Sequence, residues 1–271
     1  MNALVLPVPV RVLQRFEGGV LYLTLNRPEA RNAMNGALLE ELTALFNALR
    51  DASAVRAVVL RGAGGHFCAG ADLKEVFDAG REPISADGID PVAVFSRRFG
   101  TMLRAVAQAP QVVIVICEGA VLGGGFGLAC VSDIAYAASN ARFGLPETTR
   151  GLPPAQIAPF VVERIGLTAA RKLCLTGAQF DGGEAARLGL VHESYADEAE
   201  LAIKLEATLR QVLSCAPHAN AMTKAILLGT GSADIDTVLD DAAAQFAAAV
   251  RDEAPEGIDA FLNKRPPRWA S

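Results

Sequence analysis

Two small-residue turns, each directly after a run of β-type apolar residues, constrain this chain more than anything else in it. Val58-Val59-Leu60 leads to Gly64-Gly65-His66-Phe67-Cys68-Ala69-Gly70-Ala71-Asp72-Leu73, and Val112-Val113-Ile114-Val115-Ile116 leads to Gly123-Gly124-Gly125-Phe126-Gly127. Uninterrupted apolar strands suit a sheet buried on both faces, so helices must cover both sides. The turns beyond the strands carry almost no side chain and leave backbone N–H groups open to close approach. Two such groups aimed at one point form an oxyanion hole, which stabilises charge developing on a carbonyl oxygen. Further along, Phe143-Gly144-Leu145-Pro146-Glu147 sets a carboxylate beside a proline-fixed turn, where Glu147 can serve in proton transfer.

The rest of the pattern fits that frame. Val20–Leu25 reads as a strand closed by Asn26-Arg27-Pro28, and residues 38–49 carry apolar side chains at helical spacing. Residues 57–60, 112–116 and 134–137 read as strands; 95–107, 125–132, 154–165, 169–176 and 183–188 read as helices. Residues 75–91, with Gly80, Pro83, Gly88 and Pro91, read as a mobile, irregular loop. After Val191 the pattern is almost wholly helical, including Glu198–Ser214 and residues 234–250. The expected class is α/β, with a core over residues 1–195 and a helical region, 196–271, serving as a subdomain or oligomerisation arm.

Composition narrows the function. With 271 residues and 51% hydrophobic content, the chain can bury a large core in one domain. A net charge of −5 argues against a nucleic-acid binder, which would present a basic face. Cys68, Cys117, Cys130, Cys174 and Cys215 are scattered and odd in number, and only His66, His192 and His218 join them. No metal site is expected, and reduced thiols in the cytoplasm are. Residues 1–10 are apolar but broken by Pro7 and Pro9 and lack a positive segment, a poor signal peptide. Residues 112–131 include Glu118 and many glycines, so a membrane span is not expected.

In their order along the chain, these segments resemble the crotonase, or enoyl-CoA hydratase/isomerase, superfamily. The matching elements begin with Leu25-Asn26-Arg27-Pro28-Glu29-Ala30-Arg31-Asn32-Ala33-Met34, Phe67-Cys68-Ala69-Gly70-Ala71-Asp72-Leu73-Lys74 and Gly119-Ala120-Val121-Leu122-Gly123-Gly124-Gly125. Asp133-Ile134-Ala135, Phe143-Gly144-Leu145-Pro146-Glu147 and the tail Glu256-Gly257-Ile258-Asp259-Ala260-Phe261-Leu262-Asn263-Lys264-Arg265 follow. The resemblance implies a spiral of ββα turns and a C-terminal helical region that forms a homotrimer or, by pairing trimers, a homohexamer. It implies an acyl-CoA thioester substrate, with no cofactor beyond the coenzyme A that is part of it. By position, Ala71 and Gly124 match the oxyanion-hole N–H groups, and Ala69 to Leu73, Asp72 included, match the loop holding the adenine end of CoA. Lys74 follows the pattern near the CoA entrance. Phe261 and Lys264 match a pair that reaches CoA, commonly from a neighbouring subunit.

Two departures from the family bear on mechanism. Hydratases of the family typically carry two glutamates, but here the first position is Gly127 and only Glu147 remains. In place of a glycine-rich run stands Pro154-Ala155-Gln156-Ile157-Ala158-Pro159. That form is similar to the branch hydrating C3-branched glutaconyl-CoA derivatives, of isohexenylglutaconyl-CoA type in acyclic terpene breakdown or 3-methylglutaconyl-CoA in leucine breakdown. A single glutamate also fits an isomerase moving a proton between C2 and C4, and a non-catalytic acyl-CoA binder is the reading from another class.

Each candidate has a plainer alternative. The glycine turns also suit close helix–sheet packing, Glu147 a helix-start carboxylate, and Asp72 an N-cap as readily as a ligand contact. His66 reads as a turn residue, and Cys68 and Cys130 as small core residues. Arg81, Arg142 and Arg150 are candidate partners for a substrate carboxylate, and Glu118 is a minor candidate for the missing second acid.

Overall fold

The computed structural model describes residues 6–231 and 234–270, so the first half of the apolar 1–10 segment lies outside the described residues. The main sheet is built from β1 (Val12–Glu17), β2 (Val20–Leu25), β3 (Ala57–Gly62) and β4 (Val112–Cys117). The chain then gives β5 (Ala120–Leu122), β6 (Ile134–Ala138), β7 (Arg142–Gly144), β8 (Gln179–Phe180) and β9 (Glu193–Tyr195). Six strands pair in the order β1-β2-β3-β4-β6-β9, with β1 antiparallel to β2 and every later pair parallel. A smaller sheet, β5-β7-β8, stands beside it.

Period-two alternation explains the continuous apolar strands. Leu21, Leu23, Val58, Leu60, Val113 and Val115 face one way, into the main core. Val20, Ala57, Val59, Ile114 and Ile116 face the other way and meet Leu201 and Val212. The first face is covered by α1 (Gly36–Ala48), α3 (Pro91–Ala107) and α4 (Gly124–Val131), and between α1 and α3 in sequence comes α2 (Leu73–Ala79). After them come α5 (Ala158–Thr176), α6 (Gly182–Arg187) and α7 (Glu198–Ser214), the last lying on the second face. The chain closes with α8 (Pro217–Gly229), α9 (Ile235–Arg251) and α10 (Ala254–Leu262), which leave Leu239, Phe246 and Phe261 exposed.

Two expectations need correction. The stretch read as one irregular loop opens with α2, because the Asp72 carboxylate accepts from Lys74 N and Glu75 is held by Gly36 N at 2.7 Å. The connection beyond it is tied by Ser85 Oγ to Ile89, and Asp90 with Pro91 starts α3 four residues earlier than apolar spacing alone suggests. The two helices expected at 154–165 and 169–176 are one element, α5, bent at Gly166, and residues 154–157 form the turn that precedes it. The short strands β5, β7, β8 and β9 carry too few residues for alternation to reveal.

Candidate active site

Both turns leave the same, C-terminal end of the parallel strands, where ligands bind in open α/β sheets. They are laced together: Cys68 N donates to Ala120 O at 2.9 Å and Leu122 N to Cys68 O at 2.9 Å. The backbones then nearly touch, since a Cβ on Gly70 would lie 3.2 Å from Leu122 O and 3.6 Å from Gly123 Cα. Both glycines have positive φ, +100° and +50°, so a side chain there would be crowded and strained.

This contact sets the two candidate donors side by side. Met34 bridges the first turn through Gly70 O and Asp72 N, at 2.8 and 2.9 Å, and thereby passes over the Ala71 N–H. Gly124 is the first residue of α4, whose opening N–H groups have no partner within the helix. Among the described residues neither the Ala71 nor the Gly124 N–H has a hydrogen-bond acceptor. Both residues line one cavity of about 260 Å³, together with Glu147.

Glu147 arrives from the other side. Gly123 N donates to Gly144 O at 3.1 Å, pinning the second turn to β7, and the chain continues through Leu145 and Pro146 into a 3-10 turn over Pro146–Arg150. A Cβ on Gly123 would lie 2.6 Å from Glu147 Oε1, so the carboxylate rests against the second turn. Its Oε2 is buried with no partner among the described residues. Burial pushes the Glu147 carboxyl above the usual carboxylate range, opposed in part by its own backbone N–H and by Arg150. Among the described residues no other ionisable side chain lines the cavity. Glu147 thus combines an unpartnered, desolvated oxygen with a place in the cavity wall.

The place of a second acid is filled. A Cβ on Gly127 would lie 3.2 Å from Leu103 Cδ1 and 3.3 Å from Ile157 Cγ2, so apolar side chains occupy the space beyond it. Glu118, the minor candidate for that role, lies elsewhere, with Arg61 Nη2 3.0 Å from both its carboxylate oxygens. The candidate carboxylate partners also stand apart from the cavity lining: Arg81 stacks on Phe77, and Arg142 is exposed on β7. His66 is a turn residue, its Nδ1 accepting from Ala120 N at 3.0 Å.

Asp72 is committed within the fold. One oxygen caps α2 and the other pairs with Arg27 Nη2 at 3.1 Å. Ala69 and Leu73 flank it and Lys74 is exposed, while the cavity takes only Ala71 from this loop. Phe261, on α10, and Lys264, just beyond it, are exposed and do not reach the cavity within one chain. Sequence reasoning missed the struts behind the first turn. Asn32 is wholly buried, with Nδ2 donating to Ala63 O at 2.9 Å and His66 O at 2.7 Å. It also missed Phe99, Ser96 and Gln156 in the lining; the Ala155-Gln156 departure was the one visible signal.

Such a site offers two N–H donors, one unpaired carboxylate and an apolar chamber: the parts needed to polarise a thioester and move one proton. Residues 15–271 match the enoyl-CoA hydratase/isomerase family. The chain belongs to that family. A human protein named enoyl-CoA hydratase domain-containing protein 2, mitochondrial, is 35% identical over 97% of this chain and 89% of its own. The crystal structure of an enoyl-CoA hydratase/isomerase from Marinobacter aquaeolei superposes with a TM-score of 0.93 at 49% identity, covering 96% of this chain and 99% of that one. The solved structure of Pseudomonas aeruginosa AtuE gives 0.92 at 55% identity, covering 97% of this chain and 100% of that one. The fold is the crotonase fold and the protein is an enzyme of the enoyl-CoA hydratase type, acting on acyl-CoA. Among the described residues no helix is long and apolar enough to cross a membrane.

Proposed function

We propose that this enzyme hydrates a C3-branched α,β-unsaturated acyl-CoA of the isohexenylglutaconyl-CoA type, in acyclic terpene catabolism, using Glu147 as its one acid–base group. The observation that carries the reading is that Glu147 is, among the described residues, the sole ionisable side chain lining the cavity, with the Gly127 position closed by Leu103 and Ile157. The thioester oxygen accepts from the Ala71 and Gly124 N–H groups, and the N-terminal end of α4 adds its positive dipole there. Water oxygen bonds to C3 as the C2–C3 π electrons move toward that oxygen. Glu147 takes one proton from the water and then delivers a proton to C2, so the carboxylate is restored. A branched C3 tolerates developing positive charge better than an unbranched one, which lessens the need for a second acid.

The apolar chamber suits a bulky acyl chain: Val76, Val92, Phe95, Phe99 and Leu152 surround it. The 3-methylglutaconyl-CoA of leucine catabolism fits the same chemistry with a smaller branch. Assembly into a homotrimer or homohexamer in the cytoplasm belongs to the same proposal. In it Phe261 and Lys264 reach the CoA of a neighbouring subunit, and Ala69, Asp72, Leu73 and Lys74 border it. The exposed apolar side chains of α9 and α10 support that assembly.

Hydration and isomerisation part in one experiment. Enzyme, isohexenylglutaconyl-CoA and H₂¹⁸O should give a 3-hydroxyacyl-CoA with the label on C3. Migration of the double bond with no label incorporated would replace the hydratase by an isomerase, and no turnover on any enoyl-CoA would leave an acyl-CoA binder.

A further inference from the structure

We infer that Gln156, supported by Ser96 and Arg97, receives the distal carboxylate of the substrate and sets the preference for glutaconyl-type acyl chains; this rests on the proposed substrate class. Among the described residues the cavity wall holds no cation, yet such a substrate brings an anion into it. Besides Glu147, only Ser96 and Gln156 among the described residues contribute polar side chains to the lining. Neither has a hydrogen-bond partner among the described residues. Both residues are half-buried in the cavity wall, where a bound ligand can pair with them.

The fold makes room for this amide. Gly100 is buried inside α3, where glycine weakens a helix by about 0.5–1 kcal/mol relative to alanine. A Cβ there would lie 2.2 Å from Gln156 Oε1 and 2.8 Å from Arg97 Nη1. The missing methyl is therefore the slot in which the amide sits. Its carbonyl end sits against the Gly100 position, which Arg97 Nη1 also approaches while donating to Thr101 Oγ1, and its Cδ lies 3.2 Å from the same point, so the NH₂ end points away from α3. The opposite assignment would set an NH₂ beside a cation, which electrostatics disfavours. Ser96 stands one turn before Gly100 on the same face of α3 and adds a hydroxyl donor. Two neutral donors with a positive charge behind them suit a carboxylate.

The test measures binding of two unreactive ligands that differ in the carboxylate alone, 3-methylglutaryl-CoA and isovaleryl-CoA, by titration calorimetry near neutral pH. The unaltered enzyme should bind the first more tightly. Gln156→Ala should weaken 3-methylglutaryl-CoA by about 10–100-fold, the range for a hydrogen bond to a charged group. Isovaleryl-CoA should change by less than about threefold on the same argument. Gln156→Glu should discriminate against the diacid still more strongly, by like-charge repulsion. Gly100→Ala leaves Gln156 in place in the sequence but fills its slot, and should weaken the diacid selectively while circular dichroism shows α3 intact. Equal loss for both ligands, no loss, or no preference in the unaltered enzyme would each overturn the assignment. Because no chemistry is needed, selective loss with no hydration of isohexenylglutaconyl-CoA would sink the proposed reaction and leave the carboxylate site standing.

Discussion

Replacing Glu147 by Gln tests the site most directly, because it keeps the shape and removes the charge. Oε2 is buried without a partner among the described residues, so the ionised form has lost hydration and gained little in return. Burial accordingly raises its pKa, with its own N–H and Arg150 in opposition. A carboxylic acid with a raised folded-state pKa costs nothing below its unfolded pKa, near 4.5. The cost grows as pH rises through the window between unfolded and folded values and is complete above it. The amide avoids that cost. Glu147→Gln should therefore match the parent protein in Tm near pH 4 and equal or exceed it at pH 8. Turnover should fall by roughly 10²–10⁴-fold, the usual worth of a positioned acid–base group, or about 3–5.5 kcal/mol of barrier. Affinity for a saturated acyl-CoA should hardly change. In the parent enzyme kcat/KM should fall on the acid side through a pKa above that of an ordinary glutamate. Differential scanning calorimetry across pH, stopped-flow hydration and acyl-CoA titration supply the readouts. A variant less stable than its parent at every pH, with activity within a few-fold, would make Glu147 a structural carboxylate and refute the reasoning.

Other expected outcomes follow from the same geometry. Gly124→Pro deletes one N–H donor at the first position of α4; a Cβ there would lie 3.1 Å from Phe99 Cε1 and 3.3 Å from Met34 Sδ, so with circular dichroism as the control for a shifted turn kcat should fall by roughly 10²–10³; full activity would make the triple glycine a packing device. Gly127→Glu should not rebuild a two-acid site, because Leu103 and Ile157 fill the space. A stranded buried carboxylate costs several kcal/mol, so Tm should drop by roughly 5–15 °C without gain on crotonyl-CoA, and an active variant of normal Tm would show that the core yields. Deleting the chain from Gly257 onward should weaken acyl-CoA binding more than it lowers core stability, and a fully active monomer in sedimentation at assay concentration would remove the proposed intersubunit role of Phe261 and Lys264.

Much of the site was legible because backbone chemistry leaves a strong mark on sequence. A turn in which two backbones touch can use only glycine or alanine, and Gly70, Ala71, Gly123 and Gly124 record that requirement. The unbroken apolar runs of β3 and β4 showed a doubly covered sheet, because successive residues face opposite sides and both sides are buried. Helix α2 was hidden within the apparent loop, since its start depends on Asp72 and Glu75 finding partners distant in sequence.

Sequence alone determined the strand–turn–helix plan, the two bare turns and the survival of one glutamate. Only the tertiary structure decided what each residue faces. It sent Glu118 to Arg61, committed Asp72 to Arg27 and a helix cap, and left Glu147 with an unpaired oxygen. It closed the Gly127 position with Leu103 and Ile157 and opened the Gly100 position to Gln156. The physical reason is that a glycine in sequence marks only the absence of a side chain. Whether the space it leaves holds a backbone, an apolar core or a polar group depends on chain segments brought together across the fold.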